Sequence, residues 1–227
     1  MSTYYLTFTL QSDTAFGRGD GVAGFLDQEV QHDIYGCPYL GGKALKGILV
    51  NECADILAAL PDAMQERWQA TALYLLGRPG STHEVTPKMQ IGDACLPQGL
   101  RQAIQADINS SRPSLSREDV LHSLTALRRQ TAIDDKIGVA KDSSLRTIRV
   151  IVRETLFEAR LQFVEADMAT HQPQALMLLA ACAKALRRVG TGRNRGLGKI
   201  KDVQLCDASH NAITDEYFTR FCQEVSP

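Results

Sequence analysis

The sequence predicts an α+β fold of βαββαβ order, and three observations carry that prediction. Residues 3–10 alternate apolar and polar side chains, with Tyr4, Leu6, Phe8 and Leu10 on one face, which is the period of a half-buried strand. Two Ala- and Leu-rich stretches, 43–60 and 172–189, carry the apolar patterning of helices. Short runs rich in β-branched residues follow each of them. At 227 residues and 44% hydrophobic content, the chain can bury a full core as a single domain over 1–227, with room for an insertion.

The elements follow in order. After the first strand, residues 16–24 (FGRGDGVAG) hold four glycines in nine positions, and a second turn-rich stretch, HDIYGCPYLGG, runs to Gly42. A helix is expected over 43–60, with Leu45, Leu49, Ile56 and Leu60 on or near one face. Lys43 and Lys46 stand in its first turns. Cations there oppose the helix macrodipole by about a few tenths of a kcal/mol, so an anion is expected close by; two ordinary surface lysines are the alternative. A second helix over 63–76 ends before Pro79-Gly80, and 89–96 reads as a strand. Residues 98–118 hold Ser110, Ser111, Arg112, Pro113, Ser114 and Ser116, a polar stretch expected to be a mobile insertion. RTIRVIV at 146–152 and FEARLQFV at 157–164 read as two strands of a hairpin, with Arg146 and Arg149 on opposite faces, so at least one lies outside the core. A helix at 172–189, a strand at 199–205 and a terminal helix at 215–225 complete the pattern. The order is that of a ferredoxin-like or RNA-recognition-like sandwich, a fold that serves many functions.

The net charge is −1, so no field of one sign covers the molecule, yet residues 184–201 contain seven basic side chains and no acidic one. Inside this stripe, GTGRNRGLG at 190–198 threads four glycines with Arg193, Asn194 and Arg195. Glycines let backbone amides approach a phosphate closely, and guanidiniums add charge and planar paired donors, so the loop suits a sugar-phosphate chain and points to RNA. No apolar run approaches the length of a membrane span and the N-terminus has no signal-peptide pattern, which points to a cytoplasmic protein with no membrane partner. The six cysteines form no CxxC pair, so they read as small buried hydrophobes, Cys53 and Cys182 most clearly.

Several motifs carry less than they suggest. Gly41-Gly42-Lys43-Ala44 is no P-loop, because Cys37 holds the place of its first glycine and Ala44 that of the magnesium-binding hydroxyl. Arg18-Gly19-Asp20 spells an adhesion tripeptide in a chain with no secretion signal. Asp134 and Asp135 are adjacent, so their side chains point apart and solvation explains them better than a metal.

Three collinear segments resemble the RAMP superfamily of CRISPR effector proteins. GTGRNRGLG is similar to the glycine-rich loop after the second helix of that fold. DIYGCPYLGGKALKGIL resembles its Gly-x-Pro-Tyr turn and the Leu-Lys-Gly that opens the first helix, although Gly41-Gly42-Lys43-Ala44 replaces a Gly-Ser-Ser common there. TAIDDKIGVAKDSSLRTIRVI resembles the segment beside the protruding thumb of type III members, and the pattern is most similar to type III-D-like subunits. The resemblance implies a palm with a thumb-like insertion at about 98–145, binding of CRISPR RNA, target RNA as a second partner, and assembly with other effector subunits. Lys43, Lys46, Arg146, Arg149, Arg193 and Arg195, with Gly192, Asn194 and Gly196 of the loop, are then the expected RNA contacts, because sequence-tolerant holding of one strand needs distributed phosphate contacts. Binding itself calls for no cofactor. Ile133, Ile137 and Val139 are expected either as an apolar wedge on the thumb or as a buried hairpin contact.

Two residues raise the question of catalysis. FLDQEVQHD resembles the stretch in which backbone subunits carry an aspartate that supports metal-dependent cleavage of target RNA, and Asp27 takes that place, with Mg2+ as its implied cofactor. A solvated or turn-capping loop aspartate is the other reading. His32 offers a different chemistry, that of a general acid or base in the processing of precursor CRISPR RNA, with Tyr35 and Tyr39 as its only nearby partners in sequence. A free-standing RNA-recognition protein lacks support, since RTIRVIV carries none of the stacking aromatics such domains use.

Overall fold

A computed structural model describes residues 2–21, 26–78, 87–133, 136–141, 144–164 and 168–226. The chain forms β1 (Ser2–Leu10), α1 (Gly42–Ala59), α2 (Asp62–Leu76), β2 (Met89–Cys95), α3 (Gln98–Ile108) and α4 (Arg117–Leu124). It continues with β3 (Thr125–Gln130), β4 (Arg146–Ile151), β5 (Leu156–Phe163), α5 (Met168–Ala185), β6 (Ile200–Cys206) and α6 (Thr214–Val225). Asp134, Asp135 and the Pro79-Gly80 breaker lie outside the described residues.

The alternation read in the first strand sets the floor of the core: Leu6, Phe8 and Leu10 are fully buried, and Thr7 and Thr9 between them are not. β1 pairs antiparallel with β5 on one side and β6 on the other, and β2 pairs with the outer edge of β5. The spatial order is β2-β5-β1-β6. β5 thus lies between β1 and β2, which α1 and α2 connect, and β1 lies between β5 and β6, which α5 connects. These two split βαβ units make the ferredoxin-like palm that the sequence predicts. The register sets Phe8 opposite Phe157, whose rings stack at 5.7 Å.

α5 forms the centre of the helical layer. Every residue from Ala175 to Ala183 is buried, as expected for a helix apolar on all sides, and α1, α2 and α6 pack around it. α1 sets Leu45, Leu49 and Cys53 into the core. Its N-terminus has no side-chain cap of its own, but the Gly42 amide donates to Asp93 Oδ1 at 2.7 Å. Asp93 thus supplies an anion to the helix N-terminus, while among the described residues neither Lys43 nor Lys46 forms an ion pair.

The hairpin expected between 146–152 and 157–164 does not form. β4 pairs instead with β3 in a separate two-stranded ribbon, Gln130 opposite Arg146. Glu154, at φ 66°, turns the chain from one sheet into the other. The end of β1 takes the backbone groups a hairpin would have paired: the Leu10 amide donates to the Thr155 carbonyl, its carbonyl accepts from the Glu154 amide, and Thr14 pairs with Ile151.

The polar stretch 98–118 is likewise mostly helical rather than a loose insertion. α3 buries Ile104 and α4 buries Val120 and Leu121, all in the main core, so one apolar stripe suffices beneath a polar face. The irregular residues between them are tied down. Asp107 accepts from the amides of Ser114 and Leu115, and Ser116 forms a capping box with Asp119. The helix expected over 172–189 begins and ends four residues earlier, because Val189 leaves the helix to pair its amide with the Gly198 carbonyl at 2.8 Å. No described helix is long and apolar enough to cross a membrane.

Candidate nucleic-acid interface

The loop after α5 is anchored at its base and open at its tip. Gly190 and Gly198 both have left-handed backbone, at φ 77° and 78°, and a Cβ on either would meet a carbonyl oxygen, that of Ala15 at 2.6 Å or that of Val189 at 2.1 Å. The Thr191 amide donates to Ala15 at 2.9 Å and the Gly198 amide to Asp13 at 3.1 Å, fastening both ends of the loop to the segment that follows β1. Between these anchors Arg193–Arg195 makes one 3-10 turn with Gly192 and Gly196 in left-handed conformation at its two ends. Arg188 donates to the Arg193 carbonyl, and Arg193, Asn194 and Arg195 are exposed.

The loop forms one wall of a groove. A cleft of about 830 Å³ is lined by Arg187, Arg188, Arg193 and Arg195, with Gln28 and Gln130 also facing it. It shares Gln130 and Arg195 with a hollow of about 600 Å³, to which Arg146 also contributes. Arg146, Gln28 and Ile148 lead into a third hollow of about 380 Å³ that reaches Gly19 and Asp27. The three spaces make one path from α5, past the loop and over the β3–β4 ribbon, to the loop bearing Asp27. Among the described residues, Arg146, Arg187, Arg193 and Arg195 pair with no carboxylate. A concave wall that is mostly basic concentrates field and so favours anions. Glu52 is the acidic side chain in the first cleft: burial pushes its carboxyl up, Asp55 adds to that, and Arg187 and Arg193 pull it back.

The structure brings some of the expected contacts together and separates others. Gly192, Arg193, Asn194 and Arg195 line the groove, Gly196 closes their turn, and Arg146 joins them from β4. Arg149 is a correction: it is 7% exposed, its Nε lies 2.9 Å from Glu29 Oε1, and its Nη1 donates to Thr125 Oγ1 at 3.2 Å. A guanidinium so enclosed cannot reach a phosphate. Lys43 and Lys46 stand at the N-terminal end of α1, outside the residues lining the groove. Within the basic stripe, Lys184 and Lys201 are neutralised by Asp215 and Glu154. Sequence reasoning missed Gln28, Gln130 and Glu52; glutamines in a loop and a strand and an acid on a helix carry no signal for a groove that only folding assembles.

Asp27 is exposed at the end of this path, exchanging two hydrogen bonds with Thr147: its amide donates to the Thr147 carbonyl at 2.8 Å and its Oδ2 accepts the Thr147 amide at 2.6 Å. Oδ1 has no partner among the described residues. No group of three or more His, Cys, Asp or Glu among the described residues could hold a metal ion. One carboxylate fits a magnesium ion carried largely by phosphate oxygens and water, and does not make a cage for a resident metal. His32 lies apart from Asp27, its Nδ1 3.1 Å from the Asp33 carbonyl. Beyond Gln130, Ile133, Ile137 and Val139 are 64%, 69% and 55% exposed, so the buried-contact reading does not hold for them.

A ferredoxin-like palm with a separate two-stranded ribbon and an arginine-walled groove defines the class to which the chain is to be compared. The model of the RAMP superfamily matches residues 7–201, and the chain belongs to that superfamily. Among solved structures, a chain of Type III-B Cmr-beta bound to cognate target RNA is similar at TM-score 0.63, with 14% identity over 96% of this chain and 99% of that one. A chain of Type III-B Cmr-beta in its apo state gives TM-score 0.59 and 14% identity, over 91% of this chain and 97% of that one. At such identity the likeness shows the fold. No curated protein matches the chain.

Proposed function

We propose that the protein is an RNA-binding subunit of a type III CRISPR effector, holding CRISPR RNA by its backbone and presenting the bases to target RNA, in company with other subunits. The observation that carries this reading is the continuous path in which four guanidiniums, from the segment after α5, the glycine loop and β4, face one groove with no carboxylate partner among the described residues. Distributed charge with few base-reading groups is what sequence-tolerant binding of a single strand needs. The β3–β4 ribbon with its exposed apolar tip serves as the thumb, narrower than 98–145. Membership in the superfamily and the likeness to Type III-B Cmr-beta chains support the assignment. The test is to purify the assembly from its host by a tag on this chain and to sequence the nucleic acid that comes with it. Discrete RNAs carrying repeat-derived ends are expected; an assembly without RNA contradicts the reading.

Asp27 supports a second reading, cleavage of target RNA, because its open Oδ1 stands where the groove ends. Magnesium bound there would stabilise charge developing on the scissile phosphate. Asp27→Ala in the assembled complex, assayed with a complementary RNA and magnesium, is expected to abolish cutting and leave target binding intact. Unchanged cutting removes Asp27 from the chemistry.

A further inference from the structure

A second cleft, of about 510 Å³, has no place in the groove described above. Three arginines reach it from three segments: Arg18 from the loop after β1, Arg101 from the first turn of α3, and Arg117 from the first residue of α4. His32 and Tyr39 stand with them, and a hollow of about 230 Å³ that shares Arg18, His32 and Arg117 extends the space to Gly21.

Asp33 and Asp93 line this cleft and Glu29 and Glu118 its extension, and among the described residues all of these but Glu118 have a hydrogen-bond or ion-pair partner. Asp33 Oδ1 accepts the amides of Tyr35 and Cys37, Asp93 Oδ1 accepts that of Gly42, Glu29 pairs with Arg149, and Asp20 holds Arg18 at 2.9 Å. Arg101 and Arg117 pair with no carboxylate among the described residues. Both stand at helix N-termini, where the macrodipole opposes a cation and favours an anion bound beside it. Arg117 Nη2 lies 3.5 Å from His32 Nδ1, which places an imidazole beside a guanidinium at one end of the cleft. Ile34, 76% exposed, lines the same cleft with Pro38 and the half-buried Tyr39, an apolar and aromatic surface in the space the arginines share. Charge for a phosphate beside a flat face for a base is the chemistry of a nucleotide site.

We propose that this cleft is a second nucleotide subsite for single-stranded RNA, with the phosphate on Arg101 and Arg117 and the base against Tyr39 and Ile34. Its use by the same strand rests on the RNA reading of the groove, because one backbone-paired ribbon serves both places. Arg18 donates its amide to Glu29 at 2.9 Å and Gln31 to Phe16 at 2.7 Å. This ribbon contributes Gly19, Asp27 and Gln28 to the groove, and Arg18 and His32 to the second cleft. A strand leaving the groove past Asp27 therefore meets Arg18 next.

The purified full chain, titrated with a fluorescein-labelled 20-nucleotide oligouridylate over a range of KCl concentrations, tests this. Arg101→Ala with Arg117→Ala is expected to weaken binding roughly tenfold and to lower the salt slope by about 1.4, the share of two phosphate contacts on a single strand. Arg101→Lys with Arg117→Lys restores the slope, and Ile34→Ala weakens binding without changing it. Unchanged affinity and slope in the Arg101/Arg117 pair, while Arg193→Ala with Arg195→Ala lowers both, overturns the subsite and leaves the groove reading standing. The converse pattern upholds the subsite and removes the groove. If the Arg101/Arg117 pair abolishes capture of a polyglutamate peptide but not of the oligouridylate, the cleft is an acidic-protein surface and the proposal fails.

Discussion

Arg149 and Glu29 are both nearly enclosed, and each depends on the other. Arg149 Nε faces Glu29 Oε1 at ion-pair distance without hydrogen-bond alignment, while its Nη1 reaches Thr125 and Glu29 Oε1 also accepts the Val30 amide. The pair ties β4 and β3 to the loop that carries Asp27, so it holds the floor of the groove in register. Arg149→Ala strands a buried carboxylate and is expected to cost about 3–5 kcal/mol in urea unfolding, whereas replacing both partners with apolar residues of similar volume recovers most of that loss. Arg146, three residues earlier on the same strand and exposed, is expected to leave stability within about 0.5 kcal/mol when changed to alanine. The alternation of β4 could show that two arginines point apart, but not which one is enclosed, because Ile148, Arg149, Val150 and Ile151 are all buried and the strand is covered on both faces.

Among the elements, the ribbon and the glycine loop are joined through one residue of the segment after β1. Asp13 accepts from Arg128 on β3 and from the Arg153 amide, and its carbonyl accepts the Gly198 amide. Burial pushes the Asp13 carboxyl up, but Arg128 and the Arg153 amide outweigh it and hold the group below the usual carboxylate range. A carboxyl lowered on folding contributes stability above its unfolded value of about 3.9, and that contribution is lost as pH falls through the lower folded value. Asp13→Asn is expected to flatten the acid limb of a stability–pH profile below about pH 4, where wild type loses stability; an unchanged limb assigns the acid sensitivity elsewhere. Elements with strong local patterning were legible from sequence: β1, β2, β6 and α1 fall within two residues of where periodicity puts them. The β4–β5 connection was not legible, since two apolar runs with a polar link read as a hairpin until the end of β1 competes for their backbone groups.

At the scale of the molecule, a nearly neutral chain sets Arg146, Arg187, Arg193 and Arg195, which pair with no carboxylate among the described residues, along one path. The glycine loop was legible because glycine and arginine in that density have few structural uses, and the collinear segments pointed to the superfamily. The groove itself was not, because Gln28, Gln130, Arg146 and Arg187 are scattered along the chain and come to line connected spaces only in the folded protein. The most direct measurement is the salt dependence of affinity for a single-stranded RNA, comparing the wild type with the variant Arg146→Ala, Arg193→Ala and Arg195→Ala combined. Loss of three phosphate contacts predicts a slope shallower by about 2 and binding weaker by about 3 kcal/mol at low salt, with the thermal transition unchanged. A folded triple variant that keeps the wild-type slope and affinity contradicts the account.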